Sequence, residues 1–171
     1  MTGWTVLPGI VRSGQAEKSS LFPIPCSPFP AFLTVFSIPT RVYWEDTDAG
    51  GVVYHAQYVA FLERARTEWL RASGHGQELL RQDHDLVFAV RAMRLDFLRP
   101  ARLDDLLLVT AGLQQCRRAS VVFAQSVLRD GELLLSAEVK VAALSASAFK
   151  PKPLPDALYE SFKQQESPPQ P

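Results

Sequence analysis

The sequence predicts an α+β fold: one long helix wrapped by a curved antiparallel sheet of about five strands. Three observations carry that expectation. Tyr58, Phe61, Leu62, Ala65, Trp69 and Leu70 recur at i, i+3, i+4, i+7 spacing, the apolar stripe of an amphipathic helix over about residues 55–72. From residue 86 to 146, four β-prone runs follow one another with no helical pattern between them. Between the last two runs stands Asp130-Gly131, a strong short-range hairpin signal. Consecutive strands after one helix do not suit a parallel sheet built from alternating β–α units; they suit a helix resting on an antiparallel sheet.

Proline sets the limits of the folded body. Of 13 prolines, six lie in residues 1–40, six lie in 151–171, and Pro100 alone lies between. The reading is an irregular or disordered N-terminal extension over 1–36, a folded domain over 37–150, and a C-terminal tail with a short helix over 151–171. The first 36 residues carry only three charges, Arg12, Glu17 and Lys18. Their stretch "LFPIPCSPFPAFLTVFSIP" is apolar but broken by proline every few residues, too short and interrupted for a membrane span. It has no pattern of a signal peptide either. An over-extended gene start, with translation beginning near Leu33 or Val35, is a further reading of this segment.

Within the body, "IPTRVYW" (38–44) reads as the first strand and "EDTDAGG" as a turn. Glu63, Arg64, Arg66, Glu68 and Arg71 fill the face of the helix opposite the apolar stripe, with Arg64 and Glu68 an i, i+4 pair of opposite charge. Gly74 suits the helix stop, and "QELLRQ" (77–82) allows a second short helix. Strands follow over 86–98, 105–118, 119–129 and 132–146. They form a meander, with the first strand added at some edge. In the last strand, Leu133, Leu135, Ala137, Val139 and Val141 point one way, and Leu134, Ser136, Glu138 and Lys140 the other. One sheet covers the helix on one side only. The spare apolar surface and open edges therefore call for a second copy.

Composition narrows the function. Lysine plus arginine equals aspartate plus glutamate at 18 each, so there is no basic excess of the kind nucleic-acid binders carry. Cys26 and Cys116 have no paired spacing and read as free thiols; His55, His75 and His84 are too scattered for a metal site. No metal and no cofactor is expected.

The chemistry concentrates in "YWEDTDAGGVVYHAQYVAFLERARTEWL", residues 43–70. Three acids, two glycines and a histidine precede the helix. Glycines at 50 and 51 let the backbone take positive φ or approach a ligand closely. The first N–H groups of a helix have no intrahelical acceptor, and the helix dipole makes that spot electropositive. An aspartate beside such donors pairs a nucleophile or base with an oxyanion site. The same acids also suit plain helix capping, and this reading is the stronger one for Glu45 and Asp46.

"RVYWEDTDAGGVVYHAQYVAFLERARTEWLR" closely resembles the signature of the Tol–Pal-associated, YbgC-type acyl-CoA thioesterases. They are a branch of the 4-hydroxybenzoyl-CoA thioesterase family with the hotdog fold. The likeness continues through "FAVRAMRLDFLRPARLDD", "ASVVFAQ" and "KPKPLP", covering about residues 40–163. The resemblance implies hydrolysis of an acyl thioester to free acid and CoA. It implies a homodimer or homotetramer, with two copies joining sheets, and a cytoplasmic location. The second acid of the D-x-D pair, Asp48, falls on the catalytic position, as nucleophile or as general base toward water. The carbonyl-polarising N–H falls on His55, whose imidazole is also in reach of substrate. Gly51, Tyr54 and Tyr58 fall on substrate-binding positions. Either CoA or acyl carrier protein could carry the acyl group. Arg117, Arg118, Lys150 and Lys152 are candidates to meet CoA phosphates, although a solvated surface role explains them equally. Glu63 reads as structural. Three other functions compete: a non-catalytic acyl- or protein-binding hotdog oligomer, a dehydratase using His55 as base, and a magnesium-dependent phosphotransferase faintly echoed by "DTDAGG". The last fits poorly with consecutive strands.

Overall fold

The computed structural model describes residues 35–166; the expected irregular segment therefore lies almost wholly outside the described residues, as does Cys26. The strands are β1 (Phe36–Arg41), β2 (Leu86–Phe97), β3 (Leu106–Arg117), β4 (Ser120–Arg129) and β5 (Glu132–Ser145). The helices are α1 (His55–Ala72), α2 (Gln77–His84) and α3 (Asp156–Gln164). The α+β expectation holds: one five-stranded antiparallel sheet in the order β1-β3-β4-β5-β2, with α1 packed on β3 and β1.

The expected four-strand meander is correct only for β3, β4 and β5. β2 pairs instead with β5, from Leu86↔Ser145 to Phe97↔Leu135, and so forms the far edge. The connection 98–105 between β2 and β3 is too long to force a hairpin, so adjacency in sequence does not impose adjacency in the sheet. Where the connection is tight, it does. Asp130 (φ 50°) and Gly131 (φ 84°) both take the left-handed region, the form a two-residue hairpin loop needs between right-twisting strands.

Alternate residues of the central strands make the core floor: Leu107, Val109, Ala111 and Leu113 on β3, Val121, Phe123 and Val127 on β4, Ala137, Val139, Val141 and Ala143 on β5. At the start of β5 the expected alternation fails. Val127 pairs with Leu135 but Leu128 pairs with Leu133, so Leu134 is an extra residue in a β-bulge. The bulge shifts the phase by one. Leu134 and Leu135 are both fully buried, and Leu133, expected inward, is exposed.

α1 buries the expected stripe of Tyr58, Phe61, Leu62, Ala65, Trp69 and Leu70. It also buries Arg66, which the charge pattern had assigned to the solvent face. Arg66 lies one turn beyond Leu62, on the same stripe, and its Nη1 donates to the buried Gln125 Oε1 at 2.7 Å. The expected Arg64–Glu68 pair does not form; Glu68 pairs with Arg71, and Arg64 lies over the Phe61 ring at 5.8 Å. Gly74 (φ 85°) does end the helix, with His75 N–H donating back to the Leu70 carbonyl in the six-to-one pattern of a left-handed C-terminal cap. The tail supplies the short helix expected there: α3 buries Leu158 and Phe162. The Phe162 ring sits 5.1 Å from that of Trp69, which meets Phe123 edge-on at 5.0 Å.

Cys116 is a buried free thiol whose pKa is pushed up to about 11 by burial, with charged neighbours acting less. The thiolate is the reactive form, so Cys116 in the folded protein should resist iodoacetamide at pH 8 and label once urea unfolds it. Peptide mapping by mass spectrometry reads the site directly; labelling at the same rate in both states would contradict a buried thiol.

Candidate active site

The first strand ends earlier than the sequence suggested, at Arg41, because the chain curls into a 3-10 turn over Trp44–Asp46. Asp46 drives the curl. Its buried carboxylate accepts from Tyr43 N–H at 2.8 Å and Gln57 Nε2 at 3.0 Å, while its carbonyl accepts from Tyr54 N–H at 2.9 Å. Asp46 thus ties the strand end to the first turn of α1, which is the structural role expected for it.

Residues 47–53 then form a short hairpin. Thr47 bridges Val53, Asp48 N–H donates to the Val52 carbonyl at 3.0 Å, and Gly51 N–H donates to the Asp48 carbonyl at 3.0 Å. The two glycines have separate reasons. Gly51 sits at φ 70°, a conformation costly for any residue with a Cβ. A Cβ at Gly50 would come within 3.0 Å of Asp48 Oδ1. That oxygen accepts from Gly50 N–H at 2.8 Å, an aspartate turn that fixes the carboxylate at the hairpin tip. Asp48 Oδ2 has no hydrogen-bond partner among the described residues, and the side chain is exposed.

The hairpin leads directly into α1, whose N-cap is Tyr54, with no side-chain cap. Tyr54 N–H is taken by Asp46 and Gln57 N–H by the Tyr54 carbonyl, but His55 N–H finds no acceptor among the described residues. Such an amide, at the positive end of an 18-residue helix, is suited to an oxygen gaining negative charge. No hydrogen bond joins Asp48 to this end of α1 among the described residues.

Beside it opens a cleft of about 240 Å³, lined by Val53, His55, Tyr58, Phe97, Leu98, Arg99 and Pro100. Of the five residues singled out from sequence, His55 and Tyr58 line the cleft, while Asp48, Gly51 and Tyr54 are not among its lining residues. The rings of Tyr54 and His55 lie 4.3 Å apart. Tyr58 is mostly wall: its hydroxyl accepts from Ala101 N–H at 2.8 Å, and its ring meets Phe97 edge-on at 5.6 Å. Burial raises its phenol pKa above the usual value, the Ala101 bond opposing this. Ala101 also accepts Val53 N–H at 2.9 Å, so the 98–105 connection pins both the hairpin and the helix. Sequence reasoning missed Phe97 to Pro100 as lining; only the Arg-Pro strand end hinted that the chain turns there.

The four basic candidates for CoA phosphates are not gathered at this cleft. Arg118 pairs with Asp156 at 2.6 Å and lies over Tyr159, and Lys152 Nζ donates to the His84 carbonyl at 2.6 Å. Glu63 is exposed and accepts from Thr67 Oγ1 at 2.7 Å.

Residues 50–136 match the model of the 4HBT thioesterase superfamily. The chain belongs to the thioesterase superfamily. The superfamily match takes in Gly51, Tyr54, His55 and Tyr58 and begins two residues after Asp48. The chain is 43% identical over 127 residues to the acyl-CoA thioesterase YbgC of Haemophilus influenzae, covering 74% of this chain and 93% of that protein. It is 46% identical over 132 residues to the acyl-CoA thioester hydrolase YbgC of Escherichia coli O6:H1, covering 77% and 98%. Among solved structures, a probable thioesterase from Bartonella henselae superposes with a TM-score of 0.68 at 37% identity, over 71% of this chain and 99% of that one. Within the thioesterase superfamily the chain therefore groups with the YbgC acyl-CoA thioesterases, and its α+β architecture is the hotdog fold, as the sequence resemblance implied. No helix among the described residues is long and apolar enough to cross a membrane.

Proposed function

We propose that this thioesterase hydrolyses an acyl-CoA to the free acid and CoA, with Asp48 as the reacting carboxylate and the His55 N–H as oxyanion donor. The observation that carries the reading is the unpartnered His55 amide at the start of α1, beside a cleft and at the end of the hairpin that presents Asp48. As nucleophile, Asp48 Oδ2 adds to the thioester carbon. The carbonyl oxygen takes the negative charge and is met by the amide. Collapse expels CoA thiolate and leaves a mixed anhydride, and water then cleaves the anhydride to acid and restored carboxylate. As general base, Asp48 instead takes a proton from water, the resulting hydroxide adds to the same carbon, and collapse expels CoA thiolate and leaves the acid, the proton on Asp48 passing to the thiolate or to water. A thiolate is a good leaving group, so little acid assistance at sulfur is needed.

Asp48 is exposed on the single chain, while β2 is a long open sheet edge with Val90 and Phe97 exposed, and Leu98 just beyond its end is exposed too. Pairing of β2 edges in a homodimer would extend the sheet and bury this surface, so we include a homodimer, or a pair of such dimers, in the reading. Acyl carrier protein is the alternative acyl donor, and a cytoplasmic location rests on the sequence resemblance alone. One observation favours a non-catalytic binding protein. Asp48 Oδ1 already accepts a loop N–H, the bond a purely structural turn residue would make.

A free-thiol release assay over acyl-CoAs of increasing chain length separates the two. Turnover of at least one length is expected, and no release at any length would overturn the hydrolase reading. In the same assay, Asp46→Asn should keep most of the turnover and lose about 1–3 kcal/mol of stability, because its buried carboxylate is taken up by two protein donors. Loss of turnover in a fully folded Asp46→Asn would move the catalytic role from residue 48 to residue 46.

A further inference from the structure

The 98–105 connection braces the candidate site at three points. Its Ala101 carbonyl accepts Val53 N–H at 2.9 Å, where the hairpin ends. Ala101 N–H donates to the Tyr58 hydroxyl at 2.8 Å, in the first turn of α1. Val42 stands just before the 3-10 turn that carries Asp46, and it exchanges two backbone bonds with the connection. Val42 N–H donates to the Asp105 carbonyl at 3.0 Å, and Asp104 N–H donates to the Val42 carbonyl at 3.1 Å. The approach to the hairpin, its exit and the helix start therefore share one support. The His55 amide follows Val53 by two residues and depends on that support.

The connection lies between β2 and β3 and has no strand pairing of its own. Asp104 takes φ 67°, a left-handed conformation that is costly for a residue with a Cβ. The Asp105 carboxylate closes this turn. A single oxygen, Oδ2, accepts from Arg102 N–H at 2.8 Å and from Arg129 Nη1 at 2.8 Å. Arg129 ends β4 and extends its second arm to Glu132 Oε2 at 3.1 Å, across the Asp130-Gly131 turn. The β4–β5 hairpin is thus the anchor, and the Asp105–Arg129 pair is the tie. The two side chains are 20% and 27% exposed, so solvent screens them less than an open surface pair. Burial first, then the Ala101 bond, act on the Tyr58 phenol. Asp105 and Arg129 act next, in opposite senses, so the pair lies within electrostatic reach of the cleft.

We propose that the Asp105–Arg129 pair positions the His55 amide and the Tyr58 wall for thioester hydrolysis, by fixing the connection that braces both. This rests on the hydrolase reading. Arg129 does not line the cleft; it acts through the connection and is a positioning residue. An oxyanion donor works only at its proper distance, and a misplacement of about 1 Å caused far from the chemistry can cost about 10²-fold in rate.

The test is Arg129→Met, assayed by thiol release from acyl-CoAs and by amide hydrogen exchange. Its kcat should fall about ten- to a hundredfold with KM within about threefold, because the donor is displaced while the acyl-CoA body is still held. Exchange of the Val53 and Ala101 amides should quicken at least about tenfold, with the β4–β5 ladder unchanged, since the opening is local. Arg129→Lys keeps one charged arm for Asp105 and should hold kcat within about threefold of the wild type. After Asp105→Ala, Arg129→Met should cost little more, because the two groups act as a unit. Wild-type kcat in a folded Arg129→Met, a loss confined to KM, or faster exchange spread evenly over the sheet overturns the proposal. So does failure of both Arg129→Met and the milder Arg129→Gln to fold, which would make the pair a support of the whole fold. A wild type that releases no thiol at any chain length sinks the hydrolase reading instead, and the exchange rates still show whether the pair holds the connection.

Discussion

Asp48→Asn should remove most thioester hydrolysis and leave the fold unchanged. Asparagine keeps the carbonyl oxygen that accepts Gly50 N–H at 2.8 Å, so the hairpin tip survives. It loses the charged oxygen, Oδ2, that has no partner among the described residues. An uncharged amide neither attacks a thioester nor takes a proton from water. Removing a positioned acid–base group usually costs about 10²–10⁴ in rate. The fall should appear in kcat, with KM little changed, because the carboxylate acts on the reacting carbon rather than on the body of the acyl-CoA. Circular dichroism and the denaturation midpoint should match the wild type. Turnover near the wild-type rate in a folded Asp48→Asn would refute the assignment and leave the oxyanion site without its partner.

Gln125→Leu should be the most destabilising single polar-to-apolar change among the described residues, by about 3 kcal/mol. One side chain joins three elements. Gln125 Nε2 on β4 donates to the Leu62 carbonyl of α1 and to the Thr110 carbonyl of β3, each at 3.0 Å, and its Oε1 accepts from Arg66 at 2.7 Å. Leucine fills nearly the same space and satisfies none of these groups. The larger part of the loss comes from Arg66, left buried without its acceptor. The double variant Arg66→Met with Gln125→Leu should therefore lose clearly less than the sum of the two single losses. Urea titrations give all three values, and an unchanged m-value certifies that midpoints report stability. Strict additivity would show that the Arg66–Gln125 bond contributes nothing.

The parts of the fold readable from sequence are those governed by local periodicity. The α1 stripe, the Gly74 stop, the Asp130-Gly131 turn and the existence of five strands all follow from spacing between near neighbours. The parts that were not readable depend on partners distant in sequence. β2 pairs with β5 rather than β3, because the long 98–105 connection leaves its edge free to be chosen by packing. The bulge at Leu134 reverses the expected faces of Leu133 and Leu134, because register is set across the ladder with β4, not along β5. Arg66 looked like solvent-face charge, and its acceptor lies 59 residues away.

The site divides along the same line. Residues 43–70 alone point to an aspartate on a glycine hairpin at the mouth of a helix, since every part of that device lies within one short stretch of chain. They do not reveal that Phe97 to Pro100 wall the cleft or that Ala101 pins both Tyr58 and Val53. Hairpin, helix start and turn residues answer to short-range sterics and backbone hydrogen bonding. Cavities, buried charges and sheet order answer to which distant surfaces exclude water together, and only the folded chain fixes that choice.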